Sequence, residues 1–165
     1  MKRLITILLV LAMVFGLCAC SGSGNTDATG GTEGSMGDGL QIGYAKINIT
    51  PEDSVPLGGF GNTDQRMSTG FRTYLYATCI ALTDSGDNTV LLFTLDMTNS
   101  YGSVMDEARR QISQATGVPF DAIMVSATHN HSSPDLENTA EASTVRYITL
   151  LKNWMTQAAV AAMAD

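Results

Sequence analysis

The two histidines of the chain stand one residue apart, in the segment SATHNHSSPD at residues 126–135. If the segment is extended, His129 and His131 point the same way and present both imidazoles to one ion. Neutral imidazole suits zinc, and a carboxylate such as Asp96 or Asp135 can add a ligand or orient one. In a turn the rings would diverge, with one binding metal and the other contacting substrate or an oxyanion. The pair predicts a zinc site; the alternative is two surface histidines in a polar loop.

Other reactive side chains give weaker signals. Ser132 and Ser133 are candidate nucleophiles, but no G-x-S-x-G elbow surrounds them. Cys79 lies inside an apolar run and is predicted to be a small buried hydrophobe rather than a catalytic thiol. The three cysteines give neither a disulfide framework nor a thiolate metal site.

The hydrophobic pattern predicts an α/β fold: a mixed β-sheet with a βαβ unit and flanking helices, forming an incomplete part of a larger catalytic domain. Strands are expected at residues 41–48, 73–83, 89–95 and 121–127. The second is apolar on both alternating faces, which is typical of a strand covered on both sides. The turn at 84–88 makes it antiparallel to the third.

Two amphipathic helices complete the pattern. The first is predicted to begin at a capping box of Ser103 and Asp106 and to stop at Gly117. The apolar stripes of the two helices are expected to comprise Val104, Ala108, Ile112 and Ala115 in the first, and Val145, Ile148, Leu151, Met155, Ala158, Ala159 and Ala162 in the second, at residues 144–163.

The strand, helix and strand between residues 89 and 127 form a βαβ unit, whose strands are parallel. Their carboxyl ends share one edge of the sheet, where ligands of open α/β sheets bind. Asp96 follows the first of these strands, and residues 128–131 follow the second. The topology therefore brings Asp96 to the same rim as the histidines, as a catalytic candidate or as an acid that closes a loop. The glycine-rich loop at 51–72 is a candidate cover for that rim.

The N-terminus has the pattern of a bacterial lipoprotein. Residues 1–19 have a basic start, a short apolar stretch and small residues before a cysteine, as in a signal peptide. Cys20 would then be diacylated and anchor the protein to a membrane outside the cytoplasm. An ordinary secreted protein is the alternative. Residues 20–39 are rich in Gly, Ser and Thr and are expected to form a flexible tether to a domain at 40–165.

The charge balance excludes one class of partner. Without Lys2 and Arg3, seven basic side chains face sixteen acidic ones, a net charge of −9 with neutral histidines. An acidic domain is not expected to bind nucleic acid or to adhere by charge to anionic lipid.

Five segments, in this order, resemble the N-terminal part of the catalytic domain of the neutral/alkaline (non-lysosomal) ceramidase family. They are GYAKINITP at 43–51, PLGGFG at 56–61, Gly70 ahead of LYATCIAL at 75–82, TLD at 94–96, and SATHNHSSPD at 126–135. The THNHS portion is the most specific of them, and the resemblance extends over residues 41–165.

The resemblance implies an activity. The family hydrolyses the amide of N-acylsphingosine to sphingosine and a fatty acid, with zinc activating a water for attack on the carbonyl. The metal is held by two histidines, a glutamate and a tyrosine from distant parts of a longer chain. Carried over to this sequence, His129 is a zinc ligand, and His131 is a catalytic residue beside the metal and an N-acyl lipid substrate.

Three positions depart from the family pattern and indicate a divergent member. Asn48 replaces an aspartate, Arg72 replaces a histidine, and Ser133 replaces the glycine of H-S-G-P. The segments that supply the remaining zinc ligands and the catalytic serine are not present before Asp165, so we expect a fragment that is inactive alone. One alternative is a non-catalytic, surface-anchored lipoprotein that uses the same fold for binding. Another is a different metal-dependent hydrolase with an HxH loop.

Overall fold

A computed structural model describes residues 39–61 and 66–165, which contain a four-stranded mixed sheet with two helices. This architecture confirms the predicted α/β class. The strands are β1 (Gln41–Asn48), β2 (Tyr76–Thr83), β3 (Thr89–Leu95) and β4 (Ile123–Ala127), and the helices are α1 (Gly102–Thr116) and α2 (Ala142–Ala164).

The sheet has the strand order β1-β2-β3-β4. The first three strands are antiparallel neighbours, whereas β3 and β4 are parallel and are joined through α1. The predicted βαβ unit is therefore confirmed, and the carboxyl ends of β3 and β4 lie side by side, with Leu95 paired to Ala127. The loops that follow β3 and β4 at this edge contain residues of the candidate site.

One face of the sheet carries the core. Side chains such as Cys79, Leu91 and Phe93 are fully or almost fully buried on that face, where α2 packs on β1 and β2. The opposite face leaves Ile80 and Met124 exposed, at 36% and 58%. The expectation that the second strand is covered on both sides was therefore wrong for the described residues. Both faces of β2 carry apolar side chains as predicted, but within residues 39–61 and 66–165 only one face of the sheet is covered by helices.

Burial of Cys79 agrees with its prediction as a small buried hydrophobe. Burial raises the pKa of its thiol to about 12, so the reactive thiolate is not formed near neutral pH.

The start of α1 differs from the prediction. The helix begins at Gly102 with Tyr101 as its N-cap, and no side chain caps it. The predicted capping box of Ser103 and Asp106 was wrong, because Ser103 already lies within the first turn. The end was predicted correctly: Gly117 closes the helix in the left-handed conformation, with φ of 78° and its N–H donating to the Ser113 carbonyl.

The buried stripes of the two helices are rotated slightly from those predicted. In α1, Met105 is buried and Ala115 is exposed. In α2, Tyr147 is buried and Val145 is 48% exposed. Tyr147 replaces the predicted apolar contact because its hydroxyl finds a partner in the core, donating to the Ile49 carbonyl at 2.7 Å.

Two strand boundaries also move inward. Residues 73–75 precede β2 rather than belonging to it, and Phe120–Ala122 forms a 3₁₀ turn before β4. The predicted signal peptide, Cys20 and the tether up to residue 38 lie outside the described residues. Within residues 39–61 and 66–165, no helix is long and apolar enough to cross a membrane.

Candidate metal site

The loop after β4 adopts an unusual backbone at its first histidine. His129 has φ of 61°, a left-handed conformation that is uncommon for residues other than glycine. Its N–H donates to the Met97 carbonyl at 3.0 Å, which ties the loop after β4 to the loop after β3. Backbone strain of this kind is concentrated at functional sites. Here it turns the ring of His129 toward that of His131.

The two imidazoles converge through the same ring nitrogen. The Nε2 atoms of His129 and His131 lie 3.3 Å apart, with the ring planes at 83°. The Nδ1 atom of His129 lies 2.6 Å from the Thr98 carbonyl oxygen, which can only accept. His129 therefore carries its proton on Nδ1 and directs the Nε2 lone pair toward His131.

This spacing suits a zinc ion. Two ligands at the Zn–N distance of about 2.0–2.1 Å in a tetrahedral site lie about 3.3–3.4 Å apart. His129 also has the outer-shell carbonyl partner that zinc-bound histidines almost always have. The pair could hold one ion through both rings, or through His129 with His131 beside it. No cluster of three or more His, Cys, Asp or Glu side chains with metal-site geometry occurs among the residues that the structure describes.

Both histidines line a cavity, here called the histidine cavity. Its lining residues are Gly58, Gly59, Gly61, Thr98, Asn99, Tyr101, His129, His131, Asp135, Glu137 and Asn138. The glycine-rich loop forms one wall of this cavity. Gly59, with φ of 109°, lies so close to His131 that a Cβ atom on it would stand 2.5 Å from the ring Cγ. Arg66 donates to the carbonyls of Gly58 and His131, at 3.3 and 3.1 Å, and its guanidinium lies over the Phe60 ring. Phe60 meets the His131 ring edge to face. The loop therefore holds His131 from both its backbone and its ring.

Ser133, a sequence candidate for a nucleophile, has a different environment. The residue is fully buried, and its Oγ accepts from the Thr98 N–H at 2.7 Å and lies 3.0 Å from the Thr98 Oγ1. A hydroxyl enclosed in this way cannot meet a substrate carbonyl. Ser132 is exposed but lines a separate cleft with residues 48–54 and 68–75, not the histidine cavity.

A buried carboxylate lies in the same cavity. Asp135 is only 5% exposed, and its Oδ1 accepts from the Tyr101 hydroxyl at 3.2 Å and the Glu137 N–H at 3.0 Å. Burial, and then the negative charge of Asp135, raise the pKa of Tyr101 to about 12. The phenol therefore keeps its proton near neutral pH and donates a hydrogen bond to Asp135, which holds the carboxylate at the cavity wall.

This shifted pKa predicts an alkaline instability. The unfolded tyrosine releases its proton near pH 10, whereas the folded Tyr101 retains it to about 12. Between these values the native state binds more protons, so the free energy of unfolding falls as pH rises above about 10. Urea unfolding at pH 8 and pH 11 should show a smaller fall for Tyr101→Phe than for the wild type. An identical fall in both proteins would contradict the shifted pKa.

Asp96 lies at the predicted sheet edge but outside the cavity. Its Oδ2 accepts from the Tyr76 N–H at 3.0 Å, and its own N–H donates to the Tyr76 carbonyl. It is not among the residues that line the histidine cavity. The geometry fits the alternative in which this acid closes a strand end, and its catalytic role stays a prediction.

Four residues of the site were not named individually as site candidates from the sequence: Gly59, Arg66, Thr98 and Tyr101. Thr98 and Tyr101 could have been suspected from their position just after β3. Gly59 lies in the glycine-rich loop that was expected near the rim, and its close contact with His131 is the point where this loop meets the site.

Comparisons with known proteins bear on the fold. No protein-family model and no curated protein sequence matches the chain. Solved structures do. A ceramidase complexed with C2 matches with a TM-score of 0.65 and 18% identity, over 76% of this chain and 21% of that one. A neutral ceramidase from Pseudomonas aeruginosa matches with a TM-score of 0.63 and 18% identity, over 76% of this chain and 22% of that one.

This chain therefore spans about a fifth of the length of the ceramidases that it matches. At such low identity the likeness shows the fold alone. It confirms the resemblance that the motifs predicted: 76% of this chain has the fold of a portion of neutral ceramidase.

Proposed function

We propose that this chain supplies part of the catalytic domain of a zinc-dependent amide hydrolase that acts on N-acyl lipids of the N-acylsphingosine type. The observation that carries the proposal is the convergence of two imidazole Nε2 atoms, 3.3 Å apart, beyond the carboxyl ends of β3 and β4. The shared fold with neutral ceramidases supports the choice of reaction.

In this proposal His129 holds the zinc through Nε2, and His131 faces the substrate at the metal. Zinc, when bound, would polarise the amide carbonyl and lower the pKa of a water molecule. His129 keeps Nδ1 on the Thr98 carbonyl, which leaves its Nε2 unprotonated toward the ion. Asp135 and Tyr101 line the same cavity and form its polar wall.

The segment is proposed to act only within a longer domain. The described residues offer two imidazoles at the site, whereas catalytic zinc takes three protein ligands. The matched ceramidases are several times longer than the matched segment. We therefore expect the 165-residue chain alone to bind zinc weakly and to turn over no substrate.

The place of action follows from the N-terminal sequence. A diacylated Cys20 and a tether over residues 20–39 would hold the domain at a bacterial membrane surface, outside the cytoplasm. That position suits an enzyme whose substrate is itself a membrane lipid.

The test uses the natural protein, isolated from its source cells with an antibody raised against residues 40–165. Its mass, its zinc content, the mass of its N-terminal peptide and its release of fatty acid from N-acylsphingosine are measured. The 165-residue chain serves as the comparison. We expect a longer, diacylated, zinc-containing protein that hydrolyses the lipid and loses activity to a chelator, and a 165-residue chain with no activity.

Two results would overturn the proposal. Hydrolysis that survives removal of the metal would exclude the role of zinc. A natural protein without zinc and without hydrolysis of any N-acyl lipid would favour the non-catalytic, surface-anchored lipoprotein.

A further inference from the structure

We propose that Ser133 is a positioning residue for His129. Its buried hydroxyl fixes Thr98, and the Thr98 carbonyl in turn holds the His129 ring with Nε2 turned toward the metal. This inference rests on the proposed zinc site and adds to it a residue that touches neither metal nor substrate.

The first contact joins Ser133 to Thr98 at two points. The Thr98 N–H donates to the Ser133 Oγ at 2.7 Å, and the two hydroxyl oxygens lie 3.0 Å apart. Ser133 is fully buried and Thr98 is 3% exposed. Since water does not reach these groups freely, loss of the serine hydroxyl would leave the Thr98 N–H without its partner in a buried place.

The second contact joins Thr98 to the histidine. The Thr98 carbonyl accepts from the His129 Nδ1 at 2.6 Å, which is short for an N–H donor. The backbone of Thr98 is thus held at its N–H by Ser133 and acts through its carbonyl on His129. A shift of that carbonyl would release the ring and allow the tautomer with the proton on Nε2, which cannot bind zinc through the nitrogen that faces the site.

The backbone around Ser133 reinforces the arrangement. The Ser133 carbonyl accepts from the Gly58 N–H at 3.0 Å, so Ser133 also ties the histidine loop to the glycine-rich loop.

The experiment measures two quantities in the 165-residue chain: zinc affinity, by competition with a chromophoric chelator, and the tautomer of metal-free His129, by ¹⁵N NMR of the ring at a pH where it is neutral. Ser133→Ala is expected to lower zinc affinity by at most the roughly 10–100-fold that follows loss of an outer-shell partner, because the serine acts through the Thr98 carbonyl. It should also give a mixture of tautomers where the wild type shows protonated Nδ1.

Three further variants make the result specific. Ser133→Thr keeps the hydroxyl and should restore the wild-type tautomer. Ser132→Ala removes an exposed hydroxyl one residue away and should change neither quantity. Thr98→Val is nearly equal in size, removes only the contact between the two hydroxyls and should lose less zinc affinity than Ser133→Ala. Circular dichroism shows whether Ser133→Ala folds. If it does not, Thr98→Val takes its place in the test.

The outcomes separate the two proposals. A folded Ser133→Ala chain with the wild-type tautomer and zinc affinity would overturn the positioning role. Absence of zinc from the natural protein would contradict the proposed function, while a changed tautomer in Ser133→Ala, which is measured without metal, would still support the role of Ser133.

Discussion

Replacing His129 by asparagine is expected to abolish zinc binding at the site while the fold is retained. The substitution removes the Nε2 ligand and the ring that the Thr98 carbonyl holds. The loss should exceed the roughly 10–100-fold that follows loss of an outer-shell partner, because a direct ligand is removed. Asparagine is preferred to alanine because it tolerates the φ of 61° at this position. Chelator competition measures the affinity, and circular dichroism checks the fold.

The matched variant is His131→Asn, which removes the neighbouring ring. If His131 stands beside the metal without binding it, this variant should keep more zinc affinity than His129→Asn. In the longer protein that is proposed above, both variants should lose amide hydrolysis. Zinc affinity and hydrolysis at wild-type levels in His129→Asn would exclude this residue as a ligand.

The place of the site was predictable because it follows from chain topology. A βαβ unit puts two strand ends on one edge, and an HxH segment after the second strand can only lie there. The same reasoning brought Asp96 to that edge but could not tell which way its carboxylate turns. In the structure it accepts the Tyr76 N–H at the start of β2. A contact with a neighbouring strand's backbone leaves no mark in a sequence pattern.

A second feature that the sequence could not predict is which face of the sheet is covered by helices. Alternation of apolar side chains in β2 shows that both faces are apolar, not that both are covered. Ala77 and Cys79 are fully buried beneath the helices, whereas Ile80 is 36% exposed on the other face. The start of α1 also could not be predicted from residue type alone. Ser103 is a residue type that is common at N-caps, yet the helix begins one residue earlier, at Gly102.

Hydrogen bonds between separate loops were beyond prediction for a similar reason. Thr98 and Ser133 are 35 residues apart, and only the fold brings their hydroxyls to 3.0 Å. In the sequence, Ser133 was notable as a weak candidate for a nucleophile and as a departure from a family glycine. The structure supplies the reason that a serine can stand there, since its hydroxyl has a buried partner.

The second large effect is expected for Gly59→Ala, which should both destabilise the domain and weaken the site. A Cβ at this position would stand 2.5 Å from the His131 Cγ, 2.6 Å from its Cβ and 2.9 Å from its Cα. The Gly59 backbone and the His131 side chain cannot both stay in place, so the position of His131 relative to His129 must change. Overpacking of this kind costs about 1–3 kcal/mol. An L residue at a positive φ adds about 1–2 kcal/mol.

Gly61→Ala separates the cost of overpacking from the cost of a positive φ. Gly61 also has a positive φ, 86°, but a Cβ on it would meet no atom of residues 39–61 and 66–165 within 4 Å. Gly61→Ala should therefore lose only the stability that an L residue forfeits at a positive φ, and it should keep the wild-type zinc affinity. Urea unfolding gives the free energy of each variant, and chelator competition gives its affinity for zinc. Equal losses of stability in the two variants, with zinc affinity unchanged in both, would show that Gly59 does not position His131.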